Sequence, residues 1–379
     1  MPDGVLESLV ANPPASLGDV VGLAAGDPTF PISDWKVERL SDQGIRSPDG
    51  LLLFSGEGGA EPNARHWSVV VKVIDNEDAD PVPQDHLWYW KREVLAFESG
   101  LLNDLPAGLS APFCYRIETH DGSVWIWMEH VADGSPKVWG TDEFRRAAYA
   151  SGRFGGAYLN GRSLPDESWL VSDHARGWVG EEAPESAWSN ALVQRFFPAP
   201  LHERVRRLWD DREVVFDWLQ RLPQTFAHGD YHRRNLMIRR LADGTDGVVA
   251  VDWAWCGTAP VGGDLGMLLG MSANFGDIEP EALPEMERRV CDAYLVGLRE
   301  SGWSGDSGLA RLGYTAWLAA YAGMTAPALT AFWTADARRS GCERQFGAPE
   351  HAARRWASIC EFALDRSDEA RGLAERLLP

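Results

Sequence analysis

No stretch of this chain approaches the ~18 consecutive apolar residues that read as a membrane-spanning helix, although 45% of its 379 residues are hydrophobic. Cysteine is scarce. Cys114, Cys256, Cys291, Cys342 and Cys360 make an odd set of five with no CxxC pair. That excludes a disulfide framework and matches the reduced usage expected of a cytosolic protein. Positive charge is in deficit, with 36 Lys and Arg against 56 Asp and Glu and a net charge of −20. A nucleic acid or an anionic membrane as main partner needs a basic surface, so neither is expected. Met1-Pro2-Asp3-Gly4 begins without a basic stretch or an apolar segment behind it, and a cytoplasmic location is expected. No internal repeat, low-complexity tract or paired His or Cys ligand spacing is present, so no zinc site is expected.

What is there suffices for large cores. Tryptophan is abundant at 18 residues, and such bulky apolar rings belong mainly in cores. The period-2 runs at 35–40, 51–54, 67–74 and 124–130 predict strands of an antiparallel meander. Residues 1–34 read as an N-terminal extension with a short helix near 5–10. Residues 86–102 carry Leu87, Trp90, Val94, Phe97 and Leu101 at 3- and 4-residue spacings, which predicts one amphipathic helix. The turn-forming Ala132-Asp133-Gly134-Ser135-Pro136 breaks the pattern. Beyond it, helices are predicted at 142–159, 201–222, 284–301, 310–322 and from 350 onward, interrupted by β runs at 236–239 and 248–252. The expected fold is α+β and bilobal: a small β-rich lobe at 1–131 that binds nucleotide, and a large, mainly helical lobe at 132–379 with the catalytic loop and substrate site.

The chemistry concentrates in His228-Gly229-Asp230-Tyr231-His232-Arg233-Arg234-Asn235, followed by Val248-Val249-Ala250-Val251-Asp252-Trp253. Phosphoryl transfer to a hydroxyl needs a carboxylate to accept the proton and hard oxygen ligands for a magnesium ion on the phosphates. Asp230 and Asn235 have the D-x-x-x-x-N spacing of a kinase catalytic loop, and Asp252 closes an apolar strand. Separately, Lys72 sits within the apolar run Val69-Val70-Val71-Lys72-Val73. A lysine there calls for an anionic partner, since an unpaired buried ammonium is costly. Glu93 lies 21 residues later on the predicted helix, with Glu98 on the opposite edge as the second choice.

This combination resembles the family of aminoglycoside phosphotransferases and choline-kinase-like small-molecule kinases, from about residue 35 to at least 269. The resemblance implies a protein-kinase-like fold with ATP and Mg2+ in its cleft. By it, Asp230 is the catalytic base, Asn235 and Asp252 hold magnesium, and Lys72, oriented by Glu93, grips the phosphates. The end of the last strand implies backbone contacts from Glu129 and Val131 to adenine. The first loop departs from the pattern, having no G-x-G-x-x-G; its Ser41, Gly44 and Ser47 remain candidate phosphate contacts. His232 either touches the transferred phosphate or braces the loop, the latter preferred. His228 reads as a structural hydrogen-bonder and Asp264 as a helix cap. The expected acceptor is a hydroxylated small molecule, with a cationic aminoglycoside-like antibiotic or amino sugar as first guess. Acidic clusters at Asp277, Glu279, Glu281, Glu285 and Glu287, and at Glu181, Glu182 and Glu185, motivate the charge. Sugars, amino alcohols and natural-product intermediates stay open, as does a monomer or homodimer. Nucleotidyl transfer on the same fold, or a nucleotide-binding pseudokinase, are the alternatives.

Overall fold

A computed structural model describes residues 13–40, 50–59, 64–75, 82–120, 122–180, 185–241 and 244–379. The chain forms two compact units. The first contains residues up to Val82 together with Trp90–Asp104 and Ala111–Asp133; the second contains Pro83–Tyr89, Leu105–Ser110 and Gly134–Pro379.

The first unit is a five-stranded antiparallel sheet in the order β1-β2-β3-β6-β5, with β1 at Lys36–Arg39, β2 at Leu51–Gly58, β3 at Arg65–Asp75, β5 at Cys114–His120 and β6 at Ser123–Glu129. Alternation along the strands sorts the side chains. Leu52, Phe54, Trp67, Val69, Val71 and Trp127 form one buried face, on which helix α1 (Leu17–Ala25) lays Leu17, Val20 and Val21. Lys72, out of phase with Val71 and Val73, therefore points away from α1. The predicted helix over 86–102 is shorter than its spacing suggests: α2 spans only Arg92–Glu98. Residues 86–91 are turns, with the Tyr89 N–H bonded to the His86 carbonyl, and Gly100 takes φ 76, which ends the helix.

The second unit is mainly helical. Its helices are α3 (Thr141–Leu159), α4 (His174–Val179), α5 (Ala191–Phe196), α6 (Ala199–Asp210), α7 (Arg212–Arg221), α8 (Gly263–Asn274), α9 (Leu283–Glu300), α10 (Ser307–Leu318), α11 (Ala326–Thr334), α12 (Arg339–Phe346) and α13 (Pro349–Leu377). The single helix expected over 201–222 is two, because Asp211 leaves helical geometry at φ −88, ψ 5 and its carboxylate is held by Arg371 at 2.6 Å. Two small sheets supply the rigid ends of the central loops. One pairs β7 (Gln224–Ala227) with β10 (Gly257–Pro260); the other has the order β4-β9-β8, with β4 at Leu109–Ser110, β8 at Leu236–Arg240 and β9 at Asp246–Ala250.

The acidic run after α8 is largely consumed inside this unit. Asp277 meets Arg234, Glu279 meets Arg355, and Glu285 pairs with Arg288 and Arg289. Glu287 is buried between Arg366 at 2.7 Å and Arg311 at 3.0 Å, and Arg311 also grips Glu369. Glu185 and Glu281 are exposed, and Glu181 and Glu182 lie outside the described residues. Removing one member of a buried ion network leaves its partners desolvated and uncompensated. Glu287→Ala is expected to destabilise the fold by about 3 kcal/mol, read as a lower chemical-denaturation midpoint. Glu285→Ala, on the surface, is expected to leave that midpoint nearly unchanged.

Candidate active site

The loop from His228 to Asn235 is clamped at both ends by strand pairs. Ala227 of β7 is opposite Gly257 of β10, and Leu236 of β8 is opposite Ala250 of β9. The second pairing sets Asn235 against Val251, whose N–H donates to the Asn235 carbonyl at 2.9 Å. The Val251 carbonyl in turn lies 2.9 Å from His228 Nε2. One residue thus ties the start and the end of the loop to the chain that carries Asp252.

Asp230, His232 and Asn235 converge on one another. The Asn235 side-chain amide donates to Asp230 Oδ2 at 2.9 Å and to the Asp230 carbonyl at 3.0 Å. With its nitrogen committed, the Asn235 amide presents its oxygen as the remaining donor atom for a cation. His232 Nε2 lies 3.3 Å from Asp230 Oδ1, and His232 Nδ1 accepts the Arg234 N–H. His232 is buried and packs its ring 5.1 Å from Phe275. These contacts fix the loop from within.

Asp252 is not the last residue of a strand, as expected, but stands two residues beyond β9. It has φ 63, ψ 67 and is the only non-glycine with positive φ among the described residues. Left-handed backbone costs an L-residue about 1 kcal/mol or more, so the surrounding bonds of Val251 and the 3-10 turn Trp253–Trp255 must hold it.

Asp264 corrects the sequence reading. It makes no cap on α8. From the first turn of that helix its two carboxylate oxygens accept the His228 and Gly229 N–H groups, each at 3.0 Å. The local sequence signals a cap, but the neighbouring loop outcompetes the helix terminus because its own buried N–H groups must be satisfied. Burial pushes the Asp264 carboxyl up to about 6, against the two N–H groups and with the Asp230 charge adding to the rise. Gly229 has φ +80, and a β-carbon there would stand 2.2 Å from the Trp255 carbonyl. Only glycine fits this position.

His228 is fully buried, over Trp253 at 4.6 Å. Its Nδ1 accepts the Asp230 N–H, so its proton sits on Nε2 and goes to Val251. Burial holds this imidazole down to about 4, despite the nearby charges of Asp230 and Asp252. It is a neutral structural hydrogen-bonder, as its sequence position suggested.

In the first unit, Lys72 Nζ meets Glu93 Oε2 at 2.5 Å, with Glu93 buried. Glu98, the second choice, is exposed. Glu129 ends β6, with its N–H on the Phe113 carbonyl, and Val131 is buried. Ser41, Gly44 and Ser47 lie outside the described residues. Sequence reasoning missed the anchoring role of Asp264. The signal was available in a carboxylate that is the one charged residue of the helix Gly263–Asn274.

The His228 geometry has a consequence in acid. Because its folded-state pKa lies below its unfolded value, the unfolded chain takes up the proton first, and stability is lost as pH falls from about 6.5 towards 4. His228→Asn removes this titration. The difference in unfolding free energy between wild type and His228→Asn should therefore shrink by about 2–3 kcal/mol from pH 7.5 to pH 4.5.

Solved structures of several kinases resemble most of the chain. A microcompartment-associated aminopropanol kinase aligns with a TM-score of 0.51 at 13% identity, over 87% of this chain and 96% of its own. An amicoumacin kinase, solved with AMP-PNP, calcium and its antibiotic, aligns at 0.48 and 14% identity over 87% and 88%. Spectinomycin phosphotransferase, solved with ADP and spectinomycin, aligns at 0.46 and 13% over 93% and 96%. At such identities the first of these speaks for the fold, which is protein-kinase-like. No curated protein sequence matches the chain. The sequence pattern of the phosphotransferase enzyme family matches residues 84–304, more than half of the chain and the whole segment from His228 to Asp264. The chain therefore belongs to the phosphotransferase enzyme family and is a small-molecule kinase.

Proposed function

We propose that this enzyme transfers the terminal phosphoryl group of ATP, with magnesium, to a hydroxyl of a small molecule. The observation that carries the reading is the Asp230–Asn235 hydrogen bond on a loop locked by Asp264, beside an Asp252 held in left-handed backbone. Backbone strain kept in place by many bonds is characteristic of sites where position matters more than stability.

In this reading Asp230 receives the hydroxyl proton. The oxygen so activated bonds to the terminal phosphorus as the bond from that phosphorus to the bridging oxygen breaks, and ADP leaves. Asn235 fixes the orientation of the Asp230 carboxylate. Lys72 binds phosphate oxygens, and Glu93 keeps its ammonium extended. Glu129 and Val131 offer backbone groups to adenine, and His232 braces the loop from its buried position.

The donor set fits magnesium. Asp252 and Asn235 offer hard oxygens, and no cluster of three or more His, Cys, Asp or Glu exists among the described residues. That is too few ligands for an all-protein cage, and magnesium is commonly held by one or two carboxylates plus phosphates and water. Bound there, the ion would neutralise phosphate charge. Catalysis then rests on positioning and charge rather than on covalent chemistry. Incubation with ATP, magnesium and a panel of hydroxylated amines, sugars and antibiotics tests the reading by product mass. A gain of phosphate supports it, and a gain of AMP replaces it with nucleotidyl transfer.

Asp230→Asn should reduce kcat by roughly 10²–10⁴-fold with nucleotide affinity nearly unchanged, as titration of ATP by calorimetry will read. A variant retaining more than about a tenth of wild-type kcat would remove Asp230 from the role of base. Asp252→Ala should abolish the magnesium dependence of ATP binding, because the ion loses its carboxylate. An unaltered dependence on magnesium in that variant would place the ion on other residues.

A further inference from the structure

Asp252 stands between two imidazole–carbonyl hydrogen bonds. One is made just before it, where His228 Nε2 donates to the Val251 carbonyl at 2.9 Å. The other is made just after it, where His174 Nε2 lies 2.6 Å from the Trp255 carbonyl. A carbonyl only accepts, so Nε2 of His174 carries a proton and donates it to this bond. His174 is buried, at the first residue of α4. Its ring also closes on the loop that holds Asp230. A β-carbon on Gly229 would stand 2.6 Å from His174 Nε2 and 2.2 Å from the Trp255 carbonyl. The Asp230 loop, the 3-10 turn after Asp252 and the start of α4 thus meet at one point.

The chain before α4 is itself laid along this turn. The Val171 N–H donates to the Cys256 carbonyl at 3.2 Å, and the Thr258 N–H donates to the Val171 carbonyl at 2.9 Å. Helix α4 is held in turn from α7. The Asp173 carboxylate caps α4 at the Arg176 N–H and accepts the Gln220 amide, each at 2.9 Å. Arg176 forks onto Glu213 at 3.0 and 2.8 Å. His174 therefore reaches Trp255 from a braced position. Left-handed backbone persists in an L-residue only where its surroundings over-determine it. Asp252, with φ 63, is such a residue, and the chain is tied on both sides of it: at Val251 through His228 and at Trp255 through His174.

We propose that His174 is a positioning residue for phosphoryl transfer: its hydrogen bond to the Trp255 carbonyl sets where Asp252 stands relative to the Asp230 loop. The proposal rests on the reading of Asp252 as a magnesium ligand. No proton transfer is asked of His174, whose Nε2–H is committed to the Trp255 carbonyl. Removing that donor releases the far side of the turn while His228 still holds the near side. The loop and the fold survive, and the Asp252 carboxylate loses its aim. Magnesium demands near-ideal octahedral geometry, so a misdirected carboxylate is a poor ligand for it. Residues that orient a metal ligand from outside typically contribute about 10–100-fold in metal affinity.

The test uses the full-length protein. His174→Gln keeps an amide donor near the place of Nε2, His174→Leu keeps apolar bulk without a donor, and His174→Asn carries an amide too short to reach the carbonyl. ATP affinity is measured by calorimetry with and without magnesium, and amide hydrogen exchange over residues 253–258 is followed without nucleotide. In His174→Leu and His174→Asn the gain in ATP affinity from magnesium should fall about tenfold, with magnesium-free affinity unchanged. Exchange over the turn should rise about tenfold in the same two variants. His174→Gln should restore both quantities to within about threefold of wild type, as a neutral donor replaces a neutral donor. A packing role alone would leave His174→Gln as impaired as His174→Asn, and that result overturns the proposal. So does wild-type exchange in His174→Asn. If His174→Leu does not fold, the pair His174→Asn and His174→Gln decides. Asp252→Ala, measured alongside, separates the two readings. A magnesium gain lost there but kept in His174→Asn overturns the role of His174, whereas a gain kept in both overturns the magnesium reading and the positioning role with it.

Discussion

The two hydrogen bonds from the His228 and Gly229 N–H groups to the buried carboxylate of Asp264 are the constraint on which the site is built. They fix the one stretch of backbone that neither β7 nor β8 covers, and they do so from the rigid end of α8. With His228 held, its ring bridges Asp230 N–H and the Val251 carbonyl, and Val251 then reaches Asn235. Asp230 and Asn235 share this loop, and each is a single hydrogen bond from an anchored neighbour, His228 for Asp230 and Val251 for Asn235. A buried carboxylate carries a desolvation cost, seen here in its raised pKa. The fold bears that cost because the loop N–H groups would otherwise be buried without partners.

The same economy of charge explains the surface. An excess of acidic residues over basic ones suggests a field that attracts cations. In the second unit, however, much of the acidic run after α8 is consumed in holding α8, α9, α10 and α13 through arginines. Arg355, for example, is mostly buried and joins Glu279 to the backbone carbonyl of Ala273. Net charge counts residues, whereas a binding field depends on which of them are left unneutralised beside a cavity.

Much was legible in one dimension because the decisive features are local. The D-x-x-x-x-N spacing places Asp230 and Asn235 on one short loop, where a side-chain hydrogen bond between them is nearly unavoidable. Lys72 was marked by its apolar neighbours, and Glu93 by its place on the next helix. The helix over 86–102 misled because residues 83–89 pack in the second unit while Arg92–Glu98 packs in the first. A continuous apolar periodicity cannot reveal that its two halves serve different cores. The short β7 and β10 were hidden for a related reason: four residues each, they are strands only because they pair with each other, and neither has the length to show an alternation.

The sequence by itself determined the enzyme class, the Asp230–Asn235 loop, the lysine–glutamate pair and the alternating face of the first sheet. Each of these depends on residues close together in the chain or on a periodicity that the backbone enforces. Tertiary structure alone decided that Asp264 anchors the loop rather than capping its helix, that Asp252 is held in left-handed backbone, and that Glu287 is locked between two arginines. It also gathered Trp178, Trp255, Trp317 and Tyr321, four aromatic residues from distant segments, into one wall. Side chains so far apart have no pattern to share, and only the packing of the helices brings Trp178 into ring contact with Trp255 and Tyr321.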